Sequence, residues 1–195
     1  MSETGFYHIS PAGKLTHAAT VDAALAAAKD GGYAWLHYYQ TTKEELSKLI
    51  EPLGLHPLAI EDCFDKNEIP KIEDFPRNTF ILFNTFEYVN RDLSIGEIDL
   101  FIGDNFLVTV SQRKSENHGP LEDIEHIVET NIHSARQGPS FLMHIILDYV
   151  VDQKFSAIEA LEDELDTVEG AMLADVSSFN PAELIRFRRY LLSLR

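Results

Sequence analysis

Between Pro139 and Met172 the chain has no interior proline, and Gly170 is its one glycine. Nothing in that stretch stops a helix once it has begun. Val151, Phe155, Ile158, Leu161, Leu165, Val168 and Met172 recur at gaps of four and three. This is a heptad seam, and it predicts one long helix packed lengthwise on another. From Asp148 to Asp175 the acids Asp148, Asp152, Glu159, Glu162, Asp163, Glu164, Asp166, Glu169 and Asp175 face a single base, Lys154, so the solvent side is strongly negative. A further helix opens with Asn180 as cap, Pro181 at its first position and Glu183 three residues after the cap. Leu184, Phe187, Leu191 and Leu194 continue the spacing, while Arg186, Arg188, Arg189 and Arg195 reverse the charge. An acidic helix followed by a basic one predicts an antiparallel pair. Neither glycine nor proline closes the second helix near Arg195, so its seam is expected to run on into a downstream segment.

The preceding two thirds read as α/β. Short strands are predicted at Phe6–Ile9 and Lys14–His17, followed by an alanine-rich helix over Val21 to Lys29 that Gly31-Gly32 can end. Tyr33 to Tyr39 is apolar or aromatic on both alternating faces, the pattern of a central strand covered on two sides. Thr41-x-x-Glu44 is read as a capping box opening a helix with Leu46, Leu49, Ile50 and Leu53 on one face and Pro52 and Gly54 at its end. A short helix begins at Pro57 and runs to Cys63. Strands are predicted at Asn78–Val89, Ile98–Ile102 and Phe106–Val110, the last two joined by Gly103-Asp104-Asn105. A helix from about Leu121 to Ala135 carries Leu121, Ile124, Ile127, Val128 and Ile132 as its apolar stripe.

Charge and motif content narrow the function. The net charge is −16, from 32 acids and 16 bases. Such an excess repels phosphate backbones and anionic lipid headgroups, so nucleic acid is not an expected partner. An acidic surface attracts cations, and it also serves simple solubility. The single cysteine, Cys63, excludes an internal disulfide and suits a reducing compartment. Met1-Ser2-Glu3-Thr4-Gly5 has no basic or apolar leader character. The most apolar run, Phe141 to Leu147, ends at Asp148 and falls short of the roughly 20 residues that span a membrane. No dinucleotide loop, P-loop, nucleophile elbow or H-E-x-x-H motif occurs, so the chain does not read as an enzyme.

Four acids stand out as candidate metal ligands. Glu61 and Asp62 close a short helix, where the dipole makes carboxylates uncomfortable and a bound cation would relieve them; the alternative is a solvated surface pair. Asp148 and Asp152 lie one turn apart and repel by a few tenths of a kcal/mol, so they call for a cation or for an arginine of another helix. Glu122, Glu125, His126, Glu129 and His133 share the polar side of the Leu121 helix, and His126-x-x-Glu129-x-x-x-His133 could ligate a transition metal or be an ordinary exposed face. A metal-dependent hydrolase using Glu61, Asp62 and Asp148 would need a concave pocket and a base that the sequence does not display.

The string Leu55-His-Pro-Leu-Ala-Ile-Glu-Asp62 is followed by Pro70-Lys71-x-Glu73, the strand Phe80-Ile-Leu-Phe, Asn105-Phe-Leu-Val-Thr109, Asp148-Tyr-Val-Val-Asp152 and Leu161-Glu-Asp-Glu-Leu-Asp-x-Val-Glu169. In this order, from about Trp35 onward, the chain resembles the cytoplasmic domain of the CorA family of magnesium transporters. The resemblance implies a three-layer α/β/α domain with a mixed central sheet over 1–138. Over 139–195 it implies long acidic helices forming a hairpin with the start of a stalk-side segment. It further implies a homopentamer anchored in the inner (plasma) membrane by helices beyond this chain, with Mg2+ as regulatory and transported ion and Co2+, Ni2+ or Zn2+ as alternatives. Asp62 would pair with an acid of a neighbouring subunit's stalk, and a second ion would lie near Glu61 and Asp148. Ile69 stands where family members often have arginine before Pro70. A zinc-transporting relative, supported locally by His126 and His133, and an acidic protein-interaction module are the competing readings.

Overall fold

The computed structural model describes residues 4–65, 69–112, 124–175 and 179–193. Leu121, Glu122, Leu194 and Arg195, named above, lie outside them. In chain order the elements are β1 (Gly5–Ile9), β2 (Leu15–Ala18), α1 (Val21–Lys29), β3 (Tyr33–Tyr39), α2 (Lys43–Ser47), α3 (Ile50–Leu53) and α4 (Pro57–Asp62). They continue with β4 (Lys71–Phe75), β5 (Asn78–Val89), β6 (Asp92–Ile102), β7 (Phe106–Ser111), α5 (Ile124–Thr130), α6 (Ile132–Ala135), α7 (Pro139–Ala174) and α8 (Ala182–Ser193).

The strands form one mixed sheet in the order β2-β1-β3-β7-β6-β5-β4. Only β3 and β7 pair in parallel among the described strands, with Trp35 opposite Leu107 and Leu36 opposite Val108. As its two-sided apolar pattern predicts, β3 is buried along nearly its whole length. Ala34, Leu36 and Tyr38 face one layer, with Ala24 and Ala28 of α1, Leu46, Leu49 and Leu53 of α2–α3, and Ala59 and Ile60 of α4. Tyr33 and Trp35 face the other, with Ile124 and Val128 of α5 and Leu142, Ile145, Ile146 and Val150 of α7. The architecture is therefore α/β/α, and each fully buried Leu, Ile or Phe contributes roughly 1.5–3 kcal/mol of apolar transfer free energy.

Several boundaries differ from the sequence reading. The capping box belongs to Thr42 and Glu45, one residue later than predicted; Thr41 instead donates its hydroxyl to Glu45 Oε2 at 2.7 Å. The helix that follows is two short ones, and Gly54 ends the second in the left-handed region at φ 71°. The helix expected to reach Ala135 breaks at Asn131 into α5 and α6. Strand β4 forms where the sequence pattern predicts none, and β6 begins six residues earlier than expected, because both segments are short of apolar residues and take their order from pairing with β5.

β5 and β6 continue past the sheet as a hairpin. Its two-residue turn, Asn90-Arg91, has both φ angles positive (53° and 66°), the geometry that matches the twist of the flanking strands. Helix α7 leaves the core and runs along this hairpin, with Lys154 Nζ 3.8 Å from the centroid of Phe83. At the tip, Leu161 and Val168 of α7 pack with Phe187 of α8 against Tyr88 and Leu93. Of the predicted seam, Leu161 and Val168 are buried, whereas Phe155, Ile158 and Leu165 are exposed. The expected pairing of acidic and basic helices is present as a network: Glu164 accepts from Tyr88, Arg91 and Arg186, and Glu183 pairs with Arg91 at 2.6 Å and Arg186 at 2.9 Å.

Candidate cation-binding site

α4 holds the first pair of acids. His56 caps it by accepting the Leu58 N–H on Nδ1 at 3.3 Å, and its ring stacks on Phe75 of β4 at 4.6 Å, tying the helix to the sheet edge. Ala59, Ile60 and Cys63 turn inward, which turns Glu61 and Asp62 outward at the C-terminal end. There the helix dipole disfavours negative charge, and lysines compensate it. Lys71 Nζ lies 2.8 Å from Asp62 Oδ2 and 3.7 Å from Glu73, and Lys43 lies 3.3 Å from Glu61. The Asp62 side chain retains 18% of its exposure and Glu61 retains 61%, so both remain reachable from solvent.

Beneath α4, β6 contributes two buried acids that the sequence reading passed over, Glu97 and Asp99. Asp99 alternates with the core-facing residues Ile98 and Leu100, so its face is that of Cys63; a charged residue inside an apolar strand was the available signal. The Cys63 thiol donates to the Ala59 carbonyl at 3.2 Å. Burial pushes it well above the usual thiol range, and the carboxylates of Asp99, Glu97 and Asp62 push it further. It stays a protonated core thiol, unsuited to nucleophilic attack.

The second pair lies across the sheet. Asp148 and Asp152 of α7 border a groove of about 420 Å³ that α5 and α6 complete with Ile127, Asn131 and Ser134, and His144 extends its polar wall. Both acids are exposed and form no ion pair among the described residues. The structure thus brings Asp148 and Asp152 together and keeps them apart from Glu61 and Asp62, since α4 and α7 cover opposite faces of the sheet. His126, Glu129 and His133 are exposed on either side of the break at Asn131. Among the described residues no three His, Cys, Asp or Glu side chains are grouped so as to hold a metal ion.

A mixed-sheet α/β/α domain thus passes into a long acidic helix, with accessible carboxylates beside lysines and a buried, protonated thiol. The chain belongs to the family described as CorA-like Mg2+ transporter protein, whose family model matches residues 30–195. It is 24% identical over 174 residues to YfjQ of Bacillus subtilis (strain 168), covering 85% of this chain and 53% of that protein. It is 24% identical over 147 residues to the cobalt/magnesium transport protein CorA of Thermotoga maritima, covering 74% of this chain and 41% of that one. The chain therefore spans about half the length of the curated relatives it matches. The solved soluble domain of CorA from Methanocaldococcus jannaschii shares the fold, with a TM-score of 0.76 at 20% identity over 97% of this chain and 72% of that chain. No helix among the described residues is long and apolar enough to cross a membrane.

Proposed function

We propose that the chain is the cytoplasmic sensor of a CorA-like transporter of the inner (plasma) membrane. Mg2+ is then its cargo and its regulatory ion, and Glu61, Asp62, Asp148 and Asp152 are its contributions to the regulatory sites. The supporting observation is the placement of these acids: two solvent-reachable pairs on opposite layers, neither of them a complete ligand set within one copy. Mg2+ keeps much of its water and is usually held by one or two carboxylates, so half-sites of this kind suit an ion shared between neighbouring copies. In a homopentamer, five chains of net charge −16 crowd around one axis, and bound dications relieve that repulsion. When intracellular Mg2+ falls, the sites empty, the domains separate and the pore, supplied by the rest of the protein, opens.

Lys71 gives the switch its low affinity. Its ammonium already neutralises Asp62, so a dication must compete with it, and only abundant Mg2+ does so. Ions shift the closed–open balance only by their difference in affinity for the two states, so several weak sites must act together. Co2+, Ni2+ or Zn2+, which accept imidazole nitrogen as well as carboxylate oxygen, are competing cargoes. The test is Asp62→Ala in the complete transporter, with Mg2+ influx followed at low and high intracellular Mg2+. The variant should keep conducting at high intracellular Mg2+; shut-off indistinguishable from wild type removes Asp62 from the sensor.

A further inference from the structure

Thr20 caps α1, Thr42 caps α2 and Asn180 caps α8, each with a side chain that does not titrate near neutrality. α4 is capped by a histidine instead: His56 accepts the Leu58 N–H on Nδ1 at 3.3 Å. An unperturbed imidazole changes its charge between about pH 5 and 8, as no other unperturbed side chain does. Acceptance at Nδ1 requires the neutral ring with its proton on Nε2. The ring lies at 10° to that of Phe75, and this stack fixes which edge faces the helix. An imidazolium is also attracted to an aromatic face, so protonation leaves the ring in place and turns Nδ1 from acceptor into donor. The Leu58 N–H then meets a donor, and a cation stands at the positive end of the helix dipole.

The charged groups around the ring are committed elsewhere. Glu73, on the face of β4 that carries Phe75, is drawn to Lys71 at 3.7 Å, and Asp74, on the other face, accepts from Thr79 at 2.7 Å. Arg77, in the turn between β4 and β5, donates to the Glu51 and Pro52 carbonyls, and Lys43 of α2 pairs with Glu61. We propose that His56 is a proton-gated cap that positions the acids of α4. The neutral ring closes the first turn and the protonated ring opens it. α4 has six residues, fewer than two turns, so loss of its first turn reaches the end that carries Glu61 and Asp62. Those acids then lose their fixed spacing from Lys43 and Lys71, about two pH units above the ordinary carboxylate range. His56 touches no ion and is a positioning residue. Only the consequence for a bound dication rests on the proposed function; the gating of α4 stands without it.

The experiment is amide hydrogen exchange on the protein in EDTA, corrected for intrinsic exchange rates. Protection of the Leu58 and Ile60 amides should fall by about threefold or more between about pH 7.5 and 5.5, beyond any loss at the β3 amides, which report global stability. His56→Asn, whose side-chain oxygen caps at either pH, should keep that protection throughout. His56→Ala should show the low value at both pH values. A wild-type profile without pH dependence overturns the proposal, as does a His56→Asn profile that follows wild type. Failure of Asp62 as a sensor leaves these outcomes untouched, because no dication enters the measurement.

Discussion

Replacing Glu164 with alanine should loosen the last helix while leaving the sheet intact. The Glu164 side chain is 14% exposed and accepts hydrogen bonds from the Tyr88 hydroxyl and from both Arg91 and Arg186. A hydrogen bond to a charged group contributes about 1.5–3 kcal/mol where water is excluded. The Arg91 interaction must be discounted, because that side chain is 56% exposed and retains Glu183. Arg186 also retains Glu183. The Tyr88 hydroxyl and part of the Arg186 interaction remain, for a loss of about 2–3 kcal/mol. The apolar contacts of Leu161, Val168 and Phe187 survive the change. Hydrogen exchange should therefore show the α8 amides opening about 30- to 150-fold more often, since each tenfold is about 1.4 kcal/mol. The β3 and β7 amides should keep wild-type protection. Unchanged α8 protection would refute the network's role, and equal loss in β3 would show that the tip and the sheet are one cooperative unit. Acid supplies a second arm. Burial pushes the Glu164 carboxyl up, but hydrogen bonds from Tyr88, Arg91 and Arg186 together outweigh it, so the net shift is downward. Its contribution is complete above the ordinary carboxylate range and is lost as pH falls through the lowered value. The α8 amides should lose protection there first.

Two further perturbations test the core and the hairpin. Burial brings the His37 imidazole down to about 4, beside Thr109 Oγ1 at 2.9 Å, so between the unfolded value near 6.5 and about 4 the unfolded chain binds a proton that the native chain does not. Urea midpoints should hold steady above about pH 6.5 and fall steadily toward pH 4, and a His37→Gln variant should flatten that slope; an unaltered slope assigns it to other groups. Asn90→Val places a β-branched side chain at φ 53° in the turn and should cost about 1–2 kcal/mol in urea unfolding, while Asn90→Gly should cost little. Equal stability of the two variants would mean that the turn does not set the hairpin.

Local pattern was enough for the elements whose instructions are local. The span of α1, the central strand β3, the long α7 and the asparagine-capped α8 follow from cap chemistry and from period, which depend on residues a few positions apart. Strand β4 and the first half of β6 were not legible, because Lys71–Phe75 and Asp92–Glu97 each carry only two apolar residues and are ordered by pairing with β5. The site divides the same way. Glu61, Asp62, Asp148 and Asp152 could be picked out as acids in uncomfortable places. Their separation onto opposite layers, the lysine on Asp62 and the burial of Glu97 and Asp99 required the sheet to be assembled first.

The seam of α7 shows the division most clearly. Heptad spacing alone determined that one side of this helix needs a partner, since apolar side chains at that period line up on one face wherever the helix lies. Which of them the chain buries was decided by where the β5–β6 hairpin ends: Leu161 and Val168 meet its tip, and Phe155, Ile158 and Leu165 do not. Periodicity is a property of the helix. Burial is a property of what the fold brings against it, and that depends on strands paired far away in sequence.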